Sequence, residues 1–152
     1  MSPPVLLYRI SNRIHRLGMT RTARLLSWLN RFLFCIWLPG SAKIGKNFTV
    51  GYWGLGTVVH TATVIGDNCT VNQNVTIGRN FGDKKVPVIG NNVYIGAGSV
   101  VFGEITIGDN AVIGSNSVVN KSVAPNTIVA GNPARKIGDT NGKNYRQLDE
   151  KN

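Results

Sequence analysis

Histidine is the side chain best suited to take a proton from a hydroxyl group near neutral pH. The sequence contains two, His15 and His60. His15 lies among arginines in a segment with helical spacing, which favours an exposed helical position without a chemical role. His60 directly follows an irregular segment rich in glycine, at a position that is often glycine elsewhere in the chain. We therefore predict His60 to be a general base, with a corner histidine that bonds to the backbone as the alternative.

The element that must position His60 is a six-residue repeat. Between positions 59 and 119 every sixth residue is an aliphatic β-former, except for Asp83. Glycine often follows the aliphatic residue, and Asp or Asn often comes next, which places residues tolerant of positive φ where a corner must bend. No helix repeats at six, whereas hexapeptide repeats are a signature of parallel β-helices. The sequence thus predicts a mainly β protein, with a parallel β-helix over about 41–131.

Charge and hydropathy divide the 152-residue chain into three regions. The net charge is +10, from 17 Lys and Arg against 7 Asp and Glu. Residues 1–38 contain arginines but no acid, and their apolar residues recur at helical spacing on both sides of Gly18. We predict a short basic amphipathic α-helical cap over 1–38, a β-helix domain over 39–137 and a polar C-terminal tail over 138–152.

The N-terminal region has two candidate roles. A solenoid needs a cap over its open first coil, which is the favoured role, and a basic amphipathic helix can also lie on an anionic membrane surface. The apolar run at 32–38 is far shorter than the roughly 20 residues of a membrane span, and no signal-peptide cleavage site is evident. We expect a cytoplasmic protein, with peripheral contact at the inner membrane face as the alternative. Cys35 and Cys69 are expected to be buried free thiols.

The repeat is irregular in two places, and loops on a rigid scaffold commonly carry binding groups. Val50 and Val59 are nine residues apart instead of six, so the aromatic segment around Trp53 must bulge from the coil. Asp83 fills an aliphatic slot within the polar segment 79–87, which predicts a loop that leaves the wall. Trp53 and Asp83 are therefore candidate residues of an acceptor site.

Several segments together resemble a known family. The segments are 50–60, 64–68, 74–78, 88–98 and 129–136, and the most specific piece is Ala130-Gly131-Asn132-Pro133-Ala134. They resemble serine-acetyltransferase-type hexapeptide O-acetyltransferases, above all the short members found in bacterial polysaccharide gene clusters. The resemblance covers about residues 40–137. It implies a left-handed β-helix, against the usual right-handed rule for parallel crossovers, and a homotrimer that binds acetyl-CoA in clefts between neighbouring subunits.

Small and cationic residues indicate where the acetyl donor would bind. A long, thin pantetheine arm is best held where side chains are small, as at Gly96 and around Ser115, and the resemblance places the arm beside Ala97 and Ser115. Cationic side chains recognise phosphates well. Near the C-terminal coil, the candidates for binding the phosphates of coenzyme A are Lys121, Arg135 and Lys136.

The chain departs from typical serine acetyltransferases at the expected catalytic histidines. Such enzymes carry a His-Gly pair at the bulge, where this chain has Trp53-Gly54, and a second histidine in the downstream loop, where it has Val86-Pro87. Similar proteins with a Gly-Leu-Gly segment before a Val/Ile-His pair carry their histidine where His60 stands. The resemblance thus implies acyl transfer with His60 as the base and puts serine in question as the acceptor.

We therefore predict an acetyl-CoA-dependent O-acetyltransferase that acts on a hydroxyl group, favouring a cell-surface glycan precursor. The reason for this acceptor is a short basic cap in place of the large N-terminal helical domain of serine acetyltransferases. Serine O-acetyltransferase activity is the first alternative. A non-enzymatic trimeric scaffold or a membrane-surface binding module is the alternative of another class.

Two further classes are disfavoured. Hexapeptide β-helices of the carbonic anhydrase type need three histidine ligands for each zinc ion, and only His60 lies outside the N-terminal helices, so we predict no metal. Nucleic-acid binding is disfavoured because the positive charge is interleaved with core-type apolar residues instead of exposed stacking aromatics.

Overall fold

Short strands form the walls of a solenoid in the computed structural model of the protein, which describes residues 1–146. Two helices precede the strands, and one 3₁₀ turn interrupts them. The helices are α1 (Pro3–Arg16) and α2 (Thr20–Phe34), and the 3₁₀ turn is Gly51–Gly54. The strands are β1 (Lys43–Ile44), β2 (Thr49–Val50), β3 (Val58–Val59), β4 (Val64–Ile65), β5 (Thr70–Val71), β6 (Thr76–Gly78), β7 (Val88–Ile89), β8 (Tyr94–Ile95), β9 (Val100–Phe102), β10 (Thr106–Ile107), β11 (Val112–Ile113), β12 (Val118–Val119), β13 (Thr127–Ala130) and β14 (Arg135–Asp139).

Each wall of the solenoid is one sheet. The strand orders are β1-β4-β7-β10, β2-β5-β8-β11-β13-β14 and β3-β6-β9-β12, and all pairs are parallel except β13 with β14. Residues of the six-residue repeat pair with their equivalents one coil further on, as Ile65 does with Ile89 and Ile77 with Val101. The predicted fold class, a mainly β parallel solenoid with two N-terminal helices, is confirmed. Its left hand remains an expectation from the resemblance.

The repeat residues build the core because they all point inward. The aliphatic residues of the repeat from Val59 to Val119 are each at most 2% exposed. Corner positions between the strands hold asparagine in the left-handed region, with φ of 58° at Asn68 and 56° at Asn92. Asparagine tolerates this region better than other residues with a Cβ atom. Inward aliphatic residues and asparagine corners therefore explain how each six-residue repeat forms one strand and the corner that follows it.

Both helices are attached to the first coil by hydrogen bonds. The buried Tyr8 hydroxyl donates to the Ala42 carbonyl at 2.8 Å and accepts from the Ile44 N–H at 3.2 Å. Burial raises the pKa of this hydroxyl. From α2, Ser27 Oγ accepts from the Gly40 N–H at 3.2 Å. Within the described residues, neither helix is long and apolar enough to cross a membrane.

The end of α2 corrects one expectation. Cys69 is buried as predicted, but Cys35 is exposed. Cys35 takes a left-handed conformation with φ 54° immediately after the helix, and the chain then directs Ile36 and Leu38 into the core. The thiol of Cys35 therefore points outward although its neighbours along the chain are apolar.

The C-terminal segment folds back on the solenoid. The boundary predicted between domain and tail, at 137 and 138, falls inside β14, which pairs antiparallel with β13. Beyond β14, the Tyr145 ring lies 5.1 Å from that of Tyr94, and its hydroxyl is hydrogen bonded to Thr70. Residues 135–139 thus add a strand to one wall, and Tyr145 packs against that wall. Residues 147–152 of the predicted tail lie outside the described part of the chain.

Candidate active site

His60 is held at the corner that follows β3. Its backbone N–H donates to the Ile77 carbonyl at 2.9 Å, which ties the residue to β6 on the next coil. Its half-buried ring accepts a hydrogen bond at Nδ1 from the Ala62 N–H, with 3.1 Å between the nitrogen atoms. The turn therefore orients both the backbone and the imidazole.

This hydrogen bond determines which ring nitrogen can react. Because Nδ1 accepts a hydrogen bond, a neutral His60 ring in this orientation carries its hydrogen on Nε2. A general base needs a nitrogen without hydrogen that faces the reacting hydroxyl. His60 can offer one if Nδ1 releases the Ala62 N–H. Either Nδ1 then acts as the base, or the ring hydrogen moves to Nδ1 and leaves Nε2 free. The structure shows the backbone contact that the sequence suggested as the alternative role of His60.

The nine-residue spacing before His60 forms the 3₁₀ turn Gly51–Gly54, whose two central residues depart from helical backbone angles. Tyr52 and Trp53 both adopt positive φ, 47° and 58°, a region costly for residues with large side chains. Their side chains project outward, with Tyr52 82% and Trp53 56% exposed. This segment bulges as predicted and presents two adjacent aromatic rings to the solvent.

An apolar groove of about 540 Å³ runs beside this bulge. Its lining residues are Leu33, Phe34, Cys35, Tyr52, Trp53 and Leu55, none of which is charged. The Trp53 ring stands edge-on to that of Phe34, with 5.7 Å between the ring centres, so the end of α2 supports the bulge. We did not predict the contribution of Tyr52, although two adjacent aromatic residues in an irregular spacing were a usable signal.

The loop around Asp83 also leaves the wall as predicted. Ile77 and Ile89 are neighbours in successive walls but lie twelve residues apart, so the extra residues form the loop. The half-buried Asp83 carboxylate accepts from the Glu104 N–H at 3.3 Å, and nearby Lys85 pairs with the Glu104 carboxylate at 2.6 Å. Among the described residues, no hydrogen bond joins Asp83 to His60. The carboxylate of Asp83 therefore stabilises its own loop against the next coil.

The small residues predicted for the donor arm lie on adjacent coils. A Cβ atom on Gly96 would lie 2.5 Å from the Ser115 nitrogen, and one on Gly114 would lie 2.9 Å from Ala130 Cβ. Ala97 is half-buried beside them, and its carbonyl accepts from the Asn116 N–H at 2.8 Å. The coils thus approach closely along one corner, and a side chain at Gly96 or Gly114 would not fit there.

The three predicted phosphate-binding cations line one cavity of about 440 Å³ at the C-terminal coil. Lys136 also pairs with the Asp139 carboxylate at 2.7 Å, whereas the described part of the chain shows no ion pair for Lys121 or Arg135. Sequence reasoning missed Asp139, although its spacing of three residues from Lys136 was visible. The small-residue corner and this cationic cavity fit the two ends of coenzyme A, a thin arm and a phosphate-bearing head.

Metal ligands were a further possibility for this site. Within residues 1–146, no group of three or more His, Cys, Asp or Glu side chains is placed to hold a metal ion. The described groups at the site are an imidazole, backbone dipoles and cationic side chains.

Comparisons with known proteins find relatives with the same repeat and fold. Residues 87–121 match the bacterial transferase hexapeptide (six repeats) family. The serine acetyltransferase of Helicobacter pylori is 36% identical over 135 residues, which cover 88% of this chain and 78% of the relative. The crystal structure of serine acetyltransferase from Brucella abortus strain S19 superposes with a TM-score of 0.85 at 32% identity, over 90% of this chain and 56% of that one.

A second structure of the Brucella abortus enzyme, in complex with coenzyme A, is 31% identical with a TM-score of 0.86, over 90% of this chain and 55% of that one. The chain thus spans little more than half the length of the solved structures it matches. Its repeat, its coil geometry and its similarity over most of the length of the Helicobacter pylori protein show that the chain belongs to the serine acetyltransferase family of hexapeptide-repeat acetyltransferases.

Proposed function

We propose that the protein is an acetyl-CoA-dependent O-acetyltransferase whose acceptor is the hydroxyl group of serine. The observation that carries the proposal is the presence of two features on the last coils, the corner formed by Gly96, Ala97 and Ser115 and the cavity of Lys121 and Arg135. The names of the relatives support serine as the acceptor.

Residues of the last coils hold the donor in this proposal. The backbone at Ala97 and Ser115 lies open beside small side chains, so a pantetheine arm can lie against it. Lys121 and Arg135 bind the phosphates, since neither forms an ion pair within the described residues. Lys136 contributes less to phosphate binding, because its ammonium group forms an ion pair with the Asp139 carboxylate. When bound, the thioester supplies the activated acetyl group.

His60 accepts and returns the proton of the acceptor hydroxyl in this proposal. A ring nitrogen of His60 takes the hydroxyl proton of the acceptor as the acceptor oxygen bonds to the acetyl carbon and the carbon–sulfur bond breaks. The same imidazole then returns the proton to the departing sulfur, which leaves His60 neutral for the next cycle. For this role the ring must give up the hydrogen bond from Ala62, and a ring only half-buried has room to do so.

The site is completed by neighbouring subunits. We propose a homotrimer, because the corner of Gly96 and Ser115 lies on the outside of the solenoid and one subunit alone cannot enclose a cofactor there. A neighbouring subunit would supply the second wall of the cleft.

A glycan hydroxyl is the second candidate acceptor, of the kind used in polysaccharide biosynthesis. The specific observation in its favour is the exposed pair Tyr52 and Trp53. By the resemblance, Trp53 stands where typical family members carry a catalytic histidine. The groove beside the pair has no charged lining residue. A sugar ring can pack on aromatic faces, whereas the ammonium and carboxylate groups of serine need charged or polar partners.

Release of free thiol from acetyl-CoA, measured with different acceptors, tests the proposal. Serine should support thiol release and alanine, which lacks the hydroxyl, should not. A panel of cell-surface sugars tests the second candidate, with the matching deoxy sugars as controls. Activity with sugars and none with serine would replace serine by a glycan as the proposed acceptor. Absence of activity with both would contradict the proposal that the protein is an enzyme and would favour a trimeric scaffold.

A further inference from the structure

Helix α2 is apolar on its outward face. The buried residues Ala23, Ser27 and Asn30 are small or polar, and they face α1 and the first coil. The outward residues are large and apolar, and we call them the α2 face: Leu25 (68% exposed), Trp28 (56%), Leu29 (42%), Phe32 (84%) and Leu33 (54%). A helix on the surface of a soluble domain normally has the reverse pattern.

Hydrogen bonds fix the helix in this orientation. Ser27 Oγ donates to the Ala23 carbonyl at 3.1 Å and accepts from the Gly40 N–H at 3.2 Å. Asn30 Nδ2 donates to the Pro4 carbonyl at 3.0 Å. Rotating α2 to bury its leucines would leave the Gly40 and Pro4 partners unpaired inside the protein, which is costly. The α2 face is therefore directed outward by the packing of the helix.

Positive charge borders the α2 face. Arg24 and Arg31 are seven residues apart, two helical turns, and so lie on one edge of the face. Neither takes part in an ion pair among the described residues, and residues 1–38 contain no acid. Two copies of this face would place like charges against each other, whereas an anionic surface would neutralise them.

We propose that the α2 face docks on an anionic phospholipid bilayer, with the helix lying in the plane of the membrane surface. A basic edge beside Trp, Phe and Leu side chains is the composition of helices that bind in this way. Leu33 belongs both to the α2 face and to the groove beside Trp53. Docking thus brings the coil that carries Trp53 and His60 close to the bilayer. The proposal does not depend on the reaction or on its acceptor.

Sedimentation of the full chain with lipid vesicles tests this surface. The protein should bind equimolar phosphatidylglycerol–phosphatidylcholine vesicles and bind pure phosphatidylcholine vesicles much more weakly. Phe32→Ser should weaken binding to the anionic vesicles about tenfold, as expected for losing one buried aromatic side chain. Arg24→Gln should weaken it about fivefold, as expected for one cation at an anionic surface.

Matched controls lie on the solenoid. Ile137→Ser removes an apolar side chain that is 67% exposed on β14, and Lys46→Gln removes an exposed charge, so both should bind as the wild type does. Leu25→Ser is a second variant of the face, should Phe32→Ser fold poorly. Equal vesicle binding by the wild type and the folded face variants would overturn the proposal. So would a fall in the oligomer mass of these variants without lipid, which would assign the face to a second copy of the chain.

Discussion

Replacing His60 with asparagine separates the chemistry of this residue from its structural contact. In the structure, His60 Nδ1 accepts the N–H of the residue two positions later, Ala62, at 3.1 Å. An asparagine side-chain oxygen commonly accepts the same bond two residues on. His60→Asn therefore keeps the turn, whereas His60→Ala removes its hydrogen bond.

The expected magnitudes keep the two roles apart. Loss of this hydrogen bond costs about 1 kcal/mol of unfolding free energy, which lowers the Tm of His60→Ala by about 2–4 °C in a domain of this size. His60→Asn should stay close to the wild-type Tm. Loss of a general base lowers the rate by roughly 10²–10⁴-fold, equivalent to about 3–5 kcal/mol of barrier. Because both variants lack the base, both should lose this rate.

Thiol release from saturating acetyl-CoA, with the acceptor identified by the panel, measures the rate, and thermal unfolding measures the stability. His15→Asn is the matched control and should keep nearly the full rate. Affinity for acetyl-CoA should change little in either His60 variant, because the ring serves the acceptor. If His60→Asn kept most of its activity while His60→Ala lost stability, His60 would be a corner histidine only and the proposed base would be wrong.

Three further expectations concern the donor, the assembly and the core. Ala97→Trp should weaken acetyl-CoA binding about tenfold or more in calorimetry without unfolding the coil, and unchanged affinity would mean that the arm lies elsewhere. Sedimentation should show a trimer of the 16.4 kDa chain, and a stable monomer at micromolar concentration would contradict the shared cleft. Burial raises the pKa of the Cys69 thiol from its ordinary 9.0 to about 11. The contribution of Cys69 to the unfolding free energy should therefore be retained below about pH 9. It should fall by roughly 2–3 kcal/mol as the pH rises to about 11, because between these values the Cys69 thiol ionises in the unfolded chain but not in the folded protein. Cys69→Ala should remove this part of the slope in denaturant titrations at several pH values.

The solenoid could be predicted from the sequence because its contacts repeat. Each wall needs an aliphatic residue that points inward and a corner that tolerates positive φ, so the period of six is visible along the chain. The same regularity made the bulge at Trp53 and the loop at Asp83 visible as interruptions. The candidate donor residues followed for a related reason, since close stacking at Gly96 admits only small side chains.

Features that depend on contacts between distant segments could not be predicted from the sequence and are determined by the tertiary structure. Helical spacing shows that α2 has one apolar face, but the rule that such faces point inward is overridden here, because Ser27 and Asn30 find partners on Gly40 and Pro4. The outward thiol of Cys35 depends on a left-handed turn that no spacing reveals. The His60 ring takes its orientation from the Ala62 N–H. Sequence periodicity determines which residues share a face, whereas the neighbours that cover a face and pair its polar atoms determine what that face can bind.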